Sequence, residues 1–176
     1  MFFQRLIAAL QHGIGVARDA MTARVPLKLW NQPHWELHGH VDSARFFESL
    51  PLLGEATTLY LEGTVVAEDV EAFFRSHTEA GPYLPDTQTL WTTGVTKQFR
   101  LPASPVVLEG LARMTRSHAE PELFEHLFLY RDSEAIVEYP DAFYDDSPIF
   151  VSRHVAEERV RAFADGLGLR VSREGL

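Results

Sequence analysis

The sequence predicts an α/β (or α+β) fold in which a mixed β-sheet packs with about four to five helices. Three observations carry that expectation. Apolar residues alternate at strand period and then recur at helix period several times along the chain. No Pro-, Gly- or Ser-rich linker divides these segments, so residues 1–176 are expected to form a single domain with one core. Hydrophobic residues make up 45% of the chain and charged residues 23%, values of a globular chain and not of a disordered one. The usual (β/α)8 barrel needs roughly 250 residues and is out of reach.

Phe3, Leu6, Leu10, Ile14, Ala17 and Met21 recur at helical spacing, which predicts an N-terminal amphipathic helix docking on the core. Trp35 to Val41 alternates strictly. Trp35, Leu37, Gly39 and Val41 fall to one side and His34, Glu36, His38, His40 and Asp42 to the other, the pattern of a half-buried strand. Asp42 or Ser43 can cap a short helix over Ala44 to Leu50, stopped by Pro51 and Gly54. A β-branched and aromatic run from Thr57 to Thr64 reads as the next strand. The helix after it, about Ala67 to His77, places Glu68, Asp69 and Glu71 first and Arg75 and His77 last, as the helix dipole favours.

Thr78 to Thr96 is rich in breakers and aromatics, and reads as either an irregular connection or a lid. A strand over Lys97 to Leu101 precedes a helix capped by Ser104, opened by Pro105 and extending to about His118. Leu123 to Arg131 and Glu134 to Tyr139 form a predicted hairpin around Asp132-Ser133. A strand at Ile149 to Val151, a helix from about Val155 to Phe163 and an edge strand over Leu169 to Ser172 complete the order.

Charge and composition exclude several functions. With 16 Lys+Arg against 25 Asp+Glu the net charge is −9, the wrong sign for coating nucleic acid. The absence of cysteine excludes disulfides, thiolate zinc sites and a cysteine nucleophile, and fits a cytoplasmic location. No apolar run approaches the ~20 residues of a transmembrane helix. A peripheral membrane contact through residues 1–24 is the other reading of the N-terminal stripe, with Arg5, Arg18 and Arg24 against Asp19. Phosphate-loop, dinucleotide and Gly-x-Ser-x-Gly patterns are missing from the sequence.

Two clusters remain as candidate sites. His38 and His40 on one strand face, with Asp42 as third ligand or orienting group, could hold a divalent metal such as zinc. Such an ion would lower the pKa of a bound water and supply hydrolytic chemistry. This His-x-His-x-Asp string resembles a fragment of the metallo-β-lactamase motif, in which another His follows directly; here Ser43 follows, and five residues identify no family. The alternative is the wet face of a strand, with Asp42 serving as a helix cap.

The second cluster joins acids to aromatics in Asp141, Phe143, Tyr144, Asp145 and Asp146. Aromatics anchor interfaces and carboxylates steer association, so this segment could contact a basic partner. The expectation from sequence is therefore a soluble, non-enzymatic binding domain without a cofactor, contacting a protein or small ligand. A metal-dependent hydrolase is the alternative.

Overall fold

The computed structural model of the chain describes residues 29, 31–81, 96–118, 120–144 and 147–174. Seven strands form one sheet: β1 (His34–His38), β2 (Thr58–Gly63), β3 (Lys97–Pro102), β4 (His126–Arg131), β5 (Glu134–Tyr139), β6 (Ile149–Ser152) and β7 (Arg170–Glu174). Their order across the sheet is β3-β2-β4-β5-β6-β1-β7. Between them run α1 (Ser43–Ser49), α2 (Glu68–His77), α3 (Pro105–Met114), the one-turn α4 (Glu120–Leu123) and α5 (Glu157–Leu167), with a 3-10 turn at Leu50–Leu53. The N-terminal amphipathic helix expected over residues 1–24 lies outside the described residues, as do residues 82–95 of the breaker-rich stretch. Among the described residues no helix is long and apolar enough to cross a membrane.

The mixed sheet expected from sequence is corrected to an antiparallel one, since every neighbouring pair runs antiparallel. The reason lies in where the helical connections deliver the chain. The strands β3 and β4 both pair antiparallel to β2, and β6 and β7 both pair antiparallel to β1. Each is a split strand–helix–strand unit whose parallel members are held apart by an inserted strand. Similarly, β1 and β2 do not touch, because β4, β5 and β6 lie between them.

Local chemistry explains most boundaries. Asp42 caps α1, its carboxylate accepting the Arg45 N–H at 2.8 Å. Ser104 caps α3 ahead of Pro105, its hydroxyl oxygen accepting the Val107 N–H at 3.4 Å. That helix stops at Met114, short of His118, where the chain turns and His118 Nε2 meets Asp69 Oδ2 of α2 at 2.9 Å. The Asp132-Ser133 hairpin forms as expected, with Asp132 at φ 55°. Gly168, left-handed at φ 72°, closes α5.

The helices share one face of the sheet. Phe46 and Phe47 of α1, Val70 and Phe74 of α2, Val107 and Leu111 of α3, and Val160 and Phe163 of α5 join one buried cluster with Trp35, Leu37, Leu59, Leu61, Leu127, Leu129 and Val151. The approach of α2 to α3 depends on Gly110, where an added Cβ would stand 2.4 Å from the Phe73 ring. A smaller buried cluster, Leu29, Tyr60, Phe128, Tyr130, Ala135 and Phe150, occupies the opposite face.

Candidate functional site

The strand carrying the histidines is shorter than its alternation suggests. β1 ends at His38, and the next residue, Gly39, has φ 142°, a conformation other residues rarely adopt. His34, Glu36 and His38 therefore share a face, while His40 and Asp42 lie beyond the strand, which corrects the expectation of five residues on one side. His38 Nε2 stands 3.5 Å from Glu36 Oε1, and Asp42 is engaged as the α1 cap. Among the described residues no group of three or more His, Asp or Glu side chains is placed to hold a metal ion. On the other side of β1 the expectation holds. Trp35 and Leu37 enter the core, and the Arg153 guanidinium covers the indole at 4.0 Å from the ring centroid.

The acidic–aromatic segment divides in the structure. Phe143, expected on a partner surface, is a core residue packed among Phe46, Tyr139, Phe124 and Phe47 at centroid distances of 5.4–6.1 Å. Hydrophobic burial outweighs exposure for that ring because the left-handed backbone at Asp141 and Phe143 (φ 44° and 68°) turns it inward. Asp141 and Tyr144 remain exposed; Asp145 and Asp146 lie outside the described residues.

The middle of the sheet face opposite the helices carries polar side chains yet is buried. Register places Arg100, Tyr60, Phe128, Glu138, Phe150, Glu36 and Ser172 in one row across all seven strands. Gln98, Glu62 and His126 form a parallel row beside it. Glu62 is 1% exposed, Glu138 0% and His126 2%. The backbone N–H of Leu29 donates to Glu138 Oε2 at 3.0 Å, and Gln98 Nε2 donates to Glu62 Oε1 at 3.3 Å.

Burial pushes the Glu62 carboxyl up to about 7, against the opposing pull of hydrogen bonds from Tyr60 and Gln98. Burial also lowers the His126 imidazole, countered by the nearby Asp141 and Glu125 carboxylates. His126 Nδ1 accepts the Asp141 N–H at 3.1 Å, which fixes the neutral tautomer with its proton on Nε2. A carboxyl that titrates near neutrality suits proton transfer. Glu62, however, borders neither a depression lined by His38, Arg161, Asp165 and Arg170 nor a cleft on the helix side of the sheet.

That cleft lies on the helix side of the sheet. It encloses about 440 Å3 between the 3-10 turn and the start of α3. Phe47, Leu50, Pro51, Ala56, Ala103, Pro105, Leu108 and Leu129 supply its walls, and Glu48, Glu55 and Glu109 its only carboxylates among the described residues. The size falls within the range of ligand pockets, and the mixture of apolar wall with a few charges matches their usual composition.

Each wall has a local cause. Pro51 and Gly54 break the chain after α1, giving a 3-10 turn whose Leu50 and Leu53 stay in the core while Pro51 faces the cleft. Ala56 and Ala103 flank the joined ends of β2 and β3, where Ala103 N–H donates to Thr57 O at 3.0 Å, and their small side chains leave space above Leu129. Leu52 and Val106, next in the chain to the lining residues Pro51 and Pro105, are exposed to 44% and 68%.

The three acids are not equivalent. Glu48 pairs with Arg116 at 2.8 Å, whereas Glu55 and Glu109 are exposed and make no ion pair with any described residue. Two cations, Arg131 and Arg159, stand at the Gly54 end, where Arg131 Nε donates to Glu55 O at 3.1 Å. Sequence reasoning missed this cleft. Its signals were present, in Leu50-Pro51-Leu52-Leu53-Gly54 and Ser104-Pro105-Val106, but there they read only as breakers and caps.

No protein-family model, curated protein or solved structure matches this chain.

Proposed function

We propose that this chain is a non-catalytic binding domain and that its helix-side cleft receives an apolar group from its ligand or partner. One observation carries the reading: a space of about 440 Å3 with apolar walls opens between the 3-10 turn and the start of α3. Buried pockets that accept an apolar anchor, surrounded by less committed contacts, supply most of the energy of many interfaces. The acidic contact surface expected from sequence moves, in this reading, from residues 141–146 to the rim formed by Glu48, Glu55 and Glu109.

Nile red, a neutral apolar dye, tests the cleft without regard to charge. Its emission should rise with the wild-type chain and fall at least fivefold with Ala103→Phe and with Ala56→Phe, each of which fills the space. Thermal unfolding of each variant confirms that it is folded. Emission that is equal in wild type and both folded variants, or that fails to rise with wild type, would contradict the reading.

A further inference from the structure

We infer that β7 is where a second copy of this chain adds to the sheet, the two β7 strands pairing antiparallel about a twofold axis through Ser172. The two edges of the sheet supply the first argument. At the β3 edge the Glu79 N–H donates to Arg100 O at 2.9 Å, and the strand ends in Pro102, which has no N–H to offer. At the other edge β7 pairs, among the described residues, only with β1. Alternate residues of such a strand point N–H and C=O away from the sheet, a template for another strand. A depression of about 500 Å3 opens beside it, lined by His38, Arg161, Asp165 and the stretch Leu169 to Ser172, and leaves room for the side chains of an added strand.

Charge complementarity is the second argument, and it selects a copy of the same chain. Five residues laid antiparallel on an identical five overlap completely in one register, with the middle residue, Ser172, on the axis. Position 170 then faces position 174 of the other copy, and 171 faces 173. The sequence Arg170-Val171-Ser172-Arg173-Glu174 therefore sets an arginine against a glutamate twice, once on each side of the axis. Register with β1 puts positions 170, 172 and 174 opposite His38, Glu36 and His34, so both charge pairs fall on the sheet face away from the helices. Arg170 is exposed and makes no ion pair with another described residue. Such a contact closes at two copies and does not propagate into a fibre.

Cross-linking tests the register. The chain has no cysteine, so a single introduced thiol reports its own surroundings. Facing residues of antiparallel strands have Cα atoms about 4.5–5.5 Å apart, within disulfide reach. The two copies of residue 170 would instead stand about 13 Å apart, at a rise of about 3.3 Å per residue. Under mild oxidation Ser172→Cys should form a covalent dimer at least tenfold faster than Arg170→Cys, although residue 170 is the more exposed.

Sedimentation velocity of the full chain tests the charges, in about 0.15 M salt to screen the repulsion between two chains of net charge −9. Wild type should pass from monomer toward dimer between about 10 μM and about 1 mM, the range of a short, transient contact. Glu174→Arg sets arginine against arginine and should weaken the dimer about tenfold; adding Arg170→Glu swaps the charges and should restore it. Thermal unfolding confirms that each variant is folded.

Wild type that stays monomeric throughout, a dimer indifferent to Glu174→Arg, or equal cross-linking at 172 and 170 would overturn the inference. Binding of the acidic peptide Glu-Val-Ser-Val-Glu to a wild type that stays monomeric would replace the second copy with an acidic strand of another protein. Slow hydrogen exchange at all five β7 amides of a monomer would give the edge to another segment of the same chain.

Discussion

The face of the sheet beneath the helices and the middle of the face opposite are both buried, yet they are built from different chemistry. Beneath the helices stand leucines, valines and phenylalanines, and the space they leave is an apolar cleft with acids only at its edge. On the opposite face, Glu62, Glu138, His126, Thr58 and Ser152 lie among Tyr60, Phe128, Tyr130 and Phe150. An apolar wall can remain open to a ligand at little cost. A buried carboxyl must instead be hydrogen-bonded or protonated, so it commits its surroundings to structure. In the proposed reading binding belongs to the first face, and the pH response of the fold lies in the second.

Substitutions can break or sharpen that comparison. The largest effect is expected at Phe143, which the sequence offers as a surface anchor and the structure places in the helix-side core. Phe143→Ala should cost about 3–5 kcal/mol in chemical denaturation, as Phe-to-Ala changes in cores do. Tyr144→Ala, one residue further and exposed, should change stability by no more than about 0.5 kcal/mol. Equal effects would return Phe143 to the surface.

Glu62 comes next. Its folded pKa, about 7, lies above the ordinary 4.5, so the native state holds the proton through that window and the unfolded state does not. Stability is therefore lost as pH rises from about 4.5 to about 7, by about 3 kcal/mol at 1.36 kcal/mol per pH unit. Glu62→Gln should flatten that slope in urea titrations at pH 5 and pH 8. His126 has the opposite sign, because its depressed pKa removes stability as pH falls through 6.5. An unchanged slope in Glu62→Gln would mean that Glu62 is solvated.

Two smaller effects follow. Gly110→Ala improves helix propensity but drives a methyl group into the Phe73 ring, and a net loss of about 1–3 kcal/mol is expected for such overpacking. A gain in melting temperature would show that Phe73 moves freely aside. Asp42→Ala should cost about 1 kcal/mol, the worth of a helix cap. If Asp42 instead served a metal, added zinc would raise the melting temperature of wild type and not of the variant.

Much of the fold was legible in the sequence, for identifiable reasons. Asp42 and Ser104 announced α1 and α3 because side-chain caps are local chemistry, and Asp132-Ser133 announced its hairpin in the same way. Strand order was not legible, since the insertion of β2 between β3 and β4, and of β1 between β6 and β7, depends on contacts far apart in the chain. The burial of the second face had a local signal that the alternation of β1 obscured. Leu127-Phe128-Leu129-Tyr130 and Ile149-Phe150-Val151 are apolar on both sides, the mark of strands covered twice.

The candidate site was less legible. The histidine cluster looked continuous because alternation carried past His38, whereas the φ of Gly39 breaks it. The cleft depends on how far the 3-10 turn stands from α3, a tertiary distance that no motif encodes.

The most direct measurement is a 1H–15N NMR titration of the full chain with Nile red, the neutral apolar probe of the cleft. The account predicts saturable shifts at the amides of Ala56, Ala103, Leu108, Glu109 and Leu129, with those of His38, His40 and Asp42 unmoved. Shifts centred on His38 to Asp42 or on Asp141 to Tyr144, with the cleft amides silent, would contradict it.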